Sequence, residues 1–488
     1  MSLAATLRAQ PGLPCRPWGR HGVSAEQWVA LGQDPSLALV ALWGDALVAH
    51  ALWRDVAGML AVSVPVADGR YPALSPWRPG AVLFERALRE LWGHAAQGGD
   101  AGGWLDHGAW DVAAPMLARP PAREAAARSG PEDGEAPEQV AFGPLAGGIA
   151  EAGQFRLFLH EGVVARAEAR LGWLHKGIPA LMRGKSPRAA SRFAARLAGD
   201  APVAHGIAFA RAAEIASDLA PPARALALRA AMAEAERMAS HLADIEALAL
   251  AAGVPLVAAL CQRQGEALRR AALRAFGHRL MMDVVVPGGL AVDIAPEGEE
   301  ALRMAAAALG RELAALGRLC EPLLRRIEGV AVVPAELAAA LAPGGPAGRA
   351  CGRDADLRRA PGYRPYHDLV VAPVREADGD AASRLLVLLA ELRDSARMLR
   401  TVLADLPAGE IVVPLPMVSG EGFGWAEGPR GDIWTWLRLE GGQIAGAFQR
   451  DPGWLHLPLL EAAAMGAEPV EWPVIRASFG LSHAGMDL

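Results

Sequence analysis

An α+β fold in two unequal parts follows from three features of the sequence. Short strand-like runs lie before residue 119, a tract rich in Pro, Gly and Glu follows, and long segments with helical apolar spacing fill most of the remainder. At 488 residues the chain is long enough for two or three cores. The expected organisation is a small α+β domain over 1–118, a linker over 119–139, and a larger domain over 140–488. The larger domain should have a long-helix bundle core and small antiparallel sheets.

Within the first part, Leu37 to Trp43, Ala46 to Trp53 and Met59 to Pro65 read as strands, with turn signals such as Gly44-Asp45 between them. The stretch PALSPWRPGAVLFERALRELWG then gives a Pro-rich loop and a helix carrying Glu85, Arg86 and Trp92. A Glu-Arg pair on such a helix is ordinarily a surface ion pair. Residues 119–139 contain no aromatic residue and cannot bury enough surface to fold. After them, Val140 to Pro144, Gln154 to His160 and Val163 to Arg170 read as a small sheet. Ser186 to Ala216, Pro222 to Ala252, Pro255 to Phe276, Glu297 to Ile327 and Ala381 to Leu403 read as helices, several joined by short connections as in a bundle. Ala342 to Asp354 reads as a loop, and Ile433 to Leu439 and Gln443 to Ala447 as a closing strand pair.

Composition excludes several functions. A formal charge of −6, with 21% charged residues, leaves no electrostatic footprint for nucleic acid. Cys15, Cys261, Cys320 and Cys351 show no C-x-x-C spacing, so no zinc, iron–sulfur or nickel motif is present, and they read as reduced, buried thiols. No secretory signal and no apolar run of roughly 18 to 20 residues is visible. Attachment to a membrane would therefore come through other subunits.

Six stretches carry a family resemblance, in one order: FGPL…GQFRL (Gly143 to Leu157), LHKG (Leu174 to Gly177), RLAGDAPVAH (Arg196 to His205), AEAERMASHL (to Leu242), EGPRGD (Glu427 to Asp432) and RDPGWLHLP (Arg450 to Pro458). Together they resemble the large subunit of energy-converting nickel–iron hydrogenases of the formate-hydrogenlyase type. The same fold serves as the quinone-site subunit of complex I. The loop and helix with Phe84-Glu85-Arg86 and Leu91-Trp92-Gly93 resemble the small peripheral-arm subunit of complex I, fused ahead of it.

The resemblance implies a nickel–iron centre held by two C-x-x-C pairs, since four soft thiolates are what such a centre requires. Here the first pair reads Ala198 and Ala201, and the second reads Gly453 and His456. The family's proton-relaying Glu reads Pro179. The headgroup-holding His and Tyr of complex I are missing from Gly143-Pro144-Leu145-Ala146 and Lys185-Ser186-Pro187. Hydrogen turnover is not expected, and no cofactor is expected on ligands of the family type. A quinone is left as an option, and an iron–sulfur cluster is expected in a partner.

What remains of the site is polar. Arg430 stands where the resemblance puts an arginine over the metal, and Arg196, His205 and Arg430 are the expected catalytic groups. His175, Asp200, Ala198, Ala201, Gly453 and His456 line the expected pocket, with Asp200 facing Arg196 or Arg430. The bland alternatives are core histidines, an Arg430 paired with Glu427 or Asp432, and Glu234, Glu236 and Arg237 as a solvated or interhelical charge cluster. The vacated volume should be closed by Trp454 and Phe193 or filled by a ligand or water. By resemblance, the chain is a metal-free subunit of a hetero-oligomeric oxidoreductase complex. It would sit on the inner face of the cell membrane, docked to an iron–sulfur small subunit and antiporter-like membrane subunits. A purely structural role and a quinone-reducing one are the alternatives.

Overall fold

The computed structural model describes residues 2–108, 110–122, 138–145, 151–372 and 374–488. Most of the expected linker, 123–137, lies outside the described residues. Small sheets and a helical bundle are both present, as the sequence pattern requires.

Arg20–Gly22, Ala38–Gly44, Val48–Asp55 and Gly58–Pro65 form a four-stranded sheet. The last three pair antiparallel in succession, and Arg20–Gly22 adds in parallel to Gly58–Pro65. The Val82–Trp92 helix packs on this sheet and stops at Gly93, whose φ of +73° only a residue without Cβ adopts freely. Glu85 corrects the surface-pair expectation. It is buried and accepts the Leu74 and Ser75 N–H groups at 2.6 and 3.0 Å, closing the Pro-rich loop over the helix, while Arg86 pairs with Asp100 at 2.6 Å.

Four long helices, Ala223–Ala251, Pro255–Phe276, Pro296–Ile327 and Ala381–Ala404, make the bundle. The first is buried over most of its circumference, and its frequent alanines let neighbouring helices come close. Both large apolar clusters draw residues from before 119 and from after 139. Among the described residues no helix is long and apolar enough to cross a membrane. All four cysteines are free, and burial pushes the thiols of Cys261 and Cys320 up to about 12 and about 11.

Three local expectations are corrected. The run from Ser186 to Ala216 is two helices, Pro187–Ala194 and Pro202–Ala216, because Gly199 and Pro202 interrupt it. The loop over 342–354 contains a helix, Gly345–Ala350. The closing strand pair is a three-stranded antiparallel sheet, Gly420–Gly428, Gly431–Glu440 and Gln443–Arg450.

The added strand is set by close approach. Gly420, Gly422 and Gly424 share one face, and Ala208, Ala212 and Ala216 recur every fourth residue on the helix against it. A Cβ on Gly424 would stand 2.0 Å from the Ala208 carbonyl oxygen and 2.3 Å from the Ala212 nitrogen. Backbone therefore lies on backbone, which aims the next hairpin tip, Pro429-Arg430, at the bundle.

Gly424→Ala should cost about 3 kcal/mol or more, since neither backbone can yield. Gly310→Ala, at an open helical position, should be neutral or stabilise by up to about 1 kcal/mol. Chemical denaturation of the two variants checks the contrast, and equal effects would contradict the close-approach reading.

Candidate functional site

The stretch Arg196 to His205 turns between two helices, and its helix starts without a side-chain cap. Ala201 has no acceptor to offer and Pro202 has no N–H. Glu236, from the neighbouring Ala223–Ala251 helix, takes the orphan donors: Val203 and Ala204 donate to its carboxylate at 2.6 and 3.0 Å. Burial pushes the Glu236 carboxyl up to about 8, against the pull of those two N–H groups, and the Asp200 charge adds to the rise.

Arg430 reaches this turn from the hairpin tip between Gly428 and Gly431. Its guanidinium pairs with Asp200, donates to Asp244 at 2.7 Å and lies 3.2 Å from the Ser240 hydroxyl. Burial opposes the guanidinium charge, but Asp200 and Asp244 hold its pKa well above the usual arginine range. One cation cannot satisfy every carboxylate nearby. Burial, with the Asp200 charge, therefore pushes Asp244 up to about 6 despite Arg430. Glu236, Ser240 and Asp244 stand at i, i+4 and i+8 on one helix, so a single polar stripe faces Arg430. At pH 7 Glu236 keeps its proton near a fixed positive charge, whereas Asp244 takes one up only as pH falls through about 6.

The expected residues divide clearly. Arg430 and Asp200 meet. His205, fully buried, reaches Asp451 Oδ2 at 3.0 Å, and the other oxygen of Asp451 accepts the Gly453 N–H at 2.8 Å. Asp451 thereby ties the Pro202–Ala216 and Gly453–Ala463 helices together. Arg196 stands apart, half exposed and paired with Asp283 at 2.7 Å. His175 donates through Nδ1 to the Asp487 carbonyl at 2.6 Å and lies against Trp110, so the LHKG turn is stitched to the 483–488 segment and not to Arg430. His456 donates to the Gly344 carbonyl at 3.2 Å, and burial lowers its pKa to about 4, leaving it neutral.

A nickel–iron centre does not fit these residues. Ala198 and Ala201 are buried methyl groups, and a Cβ on Gly453 would stand 2.7 Å from Met486 Sδ and Cγ. Met486 thus fills the place of one absent side chain. Trp454 is fully buried in a 4.7 Å stack on Phe84, and the ring of Phe193 lies under Arg192. Among the described residues no group of three or more His, Cys, Asp or Glu side chains is arranged to hold a metal. Space survives on two sides of the Asp200–Arg430 pair. An apolar-walled cavity of about 170 Å³ reaches Glu236 and Ser240, and a cleft of about 730 Å³ is lined by Phe142, Glu151, Trp472 and His483.

Behind the hairpin, AEAERMASHL proves to be neither solvated nor isolated. Glu234 accepts from Tyr366 and Ser395, both at 2.6 Å, and from Arg358 at 3.2 Å. Arg237 donates to the Glu427 and Gly428 carbonyls at 2.6 and 2.8 Å. His241 joins Glu391 at 2.8 Å, and Glu391 accepts from Arg349 at 2.6 Å. Arg349 in turn reaches Glu427 at 3.2 Å, while Asp432 is held by Arg450. Glu427 and Asp432 are therefore engaged elsewhere, which leaves Arg430 to Asp200 and Asp244.

Residues 253–421 match the family described as respiratory-chain NADH dehydrogenase, 49 Kd subunit. The chain is 31% identical to an NADH-quinone oxidoreductase subunit of Salinispora tropica, over 57% of this chain and 74% of that one. It is 28% identical to the corresponding NADH-quinone oxidoreductase subunit of Dehalococcoides mccartyi, over 68% and 94%. With the alpha subunit of the membrane-bound hydrogenase of Pyrococcus furiosus, identity is 26% over 70% and 85%. A chain in the structure of the membrane-bound sulfane sulfur reductase, an archaeal respiratory membrane complex, shares the fold, with a TM-score of 0.68 at 23% identity, covering 73% of this chain and all of that one. The chain belongs to the family of the 49 kDa subunit of respiratory-chain NADH dehydrogenase.

Arg430→Ala strands Asp200 and Asp244, and should destabilise by about 3 kcal/mol at pH 8. The loss should shrink at pH 5, below the raised pKa of Asp244, where that carboxyl is protonated, and Asp244→Asn should restore part of it. Thermal or urea unfolding at both pH values checks this; a loss equal at both would contradict it.

Proposed function

We propose that this chain is a metal-free large subunit of a membrane-associated respiratory oxidoreductase complex, in which it supplies protons to an electron-transfer step. The observation that carries this reading is the Asp200–Arg430–Asp244 arrangement with Glu236, built on the turn that contains Ala198 and Ala201, where the resemblance to hydrogenases would put thiolates. Arg430 fixes Asp200 and Asp244, Glu236 holds a proton at neutrality, and Asp244 takes one up as pH falls through about 6. Reducing a small acceptor by two electrons calls for two protons; Glu236 can deliver one directly, and Asp244 can relay the second after taking it up from solvent.

Electrons would arrive from an iron–sulfur cluster in a docked small subunit. The complex would be held at the inner face of the membrane by antiporter-like subunits, as in the formate-hydrogenlyase type. A second reading, favoured by the cleft of about 730 Å³ with its Phe142 and Trp472 walls, has a quinone-type ring as the acceptor. Family-type headgroup ligands are missing, so Arg430 or His483 would hold such a ring.

Metal analysis of the purified native complex tests the central reading. Iron in cluster proportion with no nickel is expected, whereas one nickel per large subunit would refute a metal-free site. Glu236→Gln with Asp244→Asn should lower electron transfer at least about tenfold while leaving the complex assembled. Unchanged turnover would leave only a structural role.

A further inference from the structure

A second cleft, sharing no lining residue with the spaces around Arg430, has walls from four elements. The Val82–Trp92 helix presents Val82, Leu83 and Arg86. The loop from Gly102 to Gly108 presents Trp104, Asp106 and His107. Strand Val163–Arg170 gives Arg166, Glu168 and Arg170, and the Gly453–Ala463 helix gives Leu457, Pro458 and Glu461. Its volume is about 530 Å³, within the range of small-molecule sites, and it lies between the parts of the chain before and after the linker.

The walls are fixed before any ligand arrives. Glu90 accepts the Trp104 and Leu105 N–H groups at 2.9 and 2.6 Å, and Arg89 donates to the Ala101 and Gly102 carbonyls. His107 binds the Leu171 carbonyl and stacks on Trp173 with ring centroids 4.3 Å apart. The loop is thus tied to the helix on one side and to the end of the strand on the other.

The charges are unevenly engaged. Arg86 is paired with Asp100, and Arg166 with Glu168. Arg170, only partly exposed, makes no hydrogen bond or ion pair through its side chain with the described residues. Trp104, 3% exposed, has no partner for its indole N–H. Arg170 is therefore the unengaged cation of a cleft whose wall also has an apolar part, Val82, Leu83, Leu457 and Pro458, with the buried indole of Trp104 behind it.

We propose that this cleft binds a small organic anion, its carboxylate or phosphate received by Arg170 and its apolar body lying against Leu83, Leu457 and Trp104. A guanidinium fork suits either anion, and the apolar part of the wall favours an organic body over a bare inorganic ion. Glu461 faces the same space and accepts the Ala169 N–H at 2.8 Å. Burial pushes its carboxyl up to about 7, with Arg86 opposing and Glu168 assisting; Asp106, His107, Arg166 and Arg170 are the other charged or titratable groups facing it. Anion binding should accordingly weaken as pH rises through 7, when Glu461 gains its charge.

Isothermal titration of the full chain with benzoate and with phenyl phosphate, at pH 6 and pH 8, tests the site. Binding of either probe is expected, tighter at pH 6, and preference between them identifies the anion. Arg170→Glu should weaken binding at least about tenfold with unchanged thermal unfolding, and Glu461→Gln should keep the pH 6 affinity at pH 8. No binding of either probe at millimolar concentration, or equal binding by Arg170→Glu, would overturn the proposal.

Discussion

One guanidinium shared between carboxylates from two elements holds the site in shape. Arg430 comes from a hairpin tip, Asp200 from the turn between two helices, and Asp244 from the central bundle helix. Each of these elements would otherwise present an unpaired charge in a half-closed space. The hairpin can deliver Arg430 only because Gly420, Gly422 and Gly424 let its first strand lie directly on the Pro202–Ala216 helix. A bulkier residue on that face would lift the tip away from the turn. Close packing far from the charge thus sets the geometry at the charge.

The bundle behind it contains many titratable groups for so apolar an interior, and it tolerates them because they are engaged with one another. Glu234, Arg237, His241, Arg349, Arg358, Glu391 and Glu427 form a connected set in which carboxylates face cations or hydroxyls. Such networks add little net stability compared with apolar packing, yet removing one member is costly. Their value here is positional: with Glu427 and Asp432 occupied by Arg349 and Arg450, Arg430 is directed to Asp200 and Asp244.

Much of the α+β pattern could be read from residue spacing, because strand alternation and helical apolar recurrence are local signals. The break between residues 194 and 202 was hidden by alanines, which favour helix on both sides of it. Strand Gly420–Gly428 was hidden by glycines, which carry no side chain to reveal a period and are there for close approach. The Gly345–Ala350 helix sat in a tract whose composition reads as loop, and with it Arg349. At the site, motif spacing led to Arg430, Asp200 and His205, but Arg196 keeps its motif place while its side chain turns outward to Asp283. Asp244 was missed by the sequence reading, although its spacing from Glu236 and Ser240 puts the three on one helix face. Met486 was missed too, because nothing local marks a side chain that fills a gap opened elsewhere in the sequence.

The central claim is that a carboxyl in the cluster around Arg430 carries a proton at neutral pH. Infrared spectroscopy of the C=O stretch of protonated carboxyls, between pH 6 and pH 9, reads it directly when wild type is compared with Glu236→Gln. A band present at pH 7, fading as pH rises through about 8 and missing from the variant, is the expected result. A spectrum with no difference between the two proteins at pH 7 would mean that Glu236 is ionised, and that the cluster holds charge in place without holding a proton.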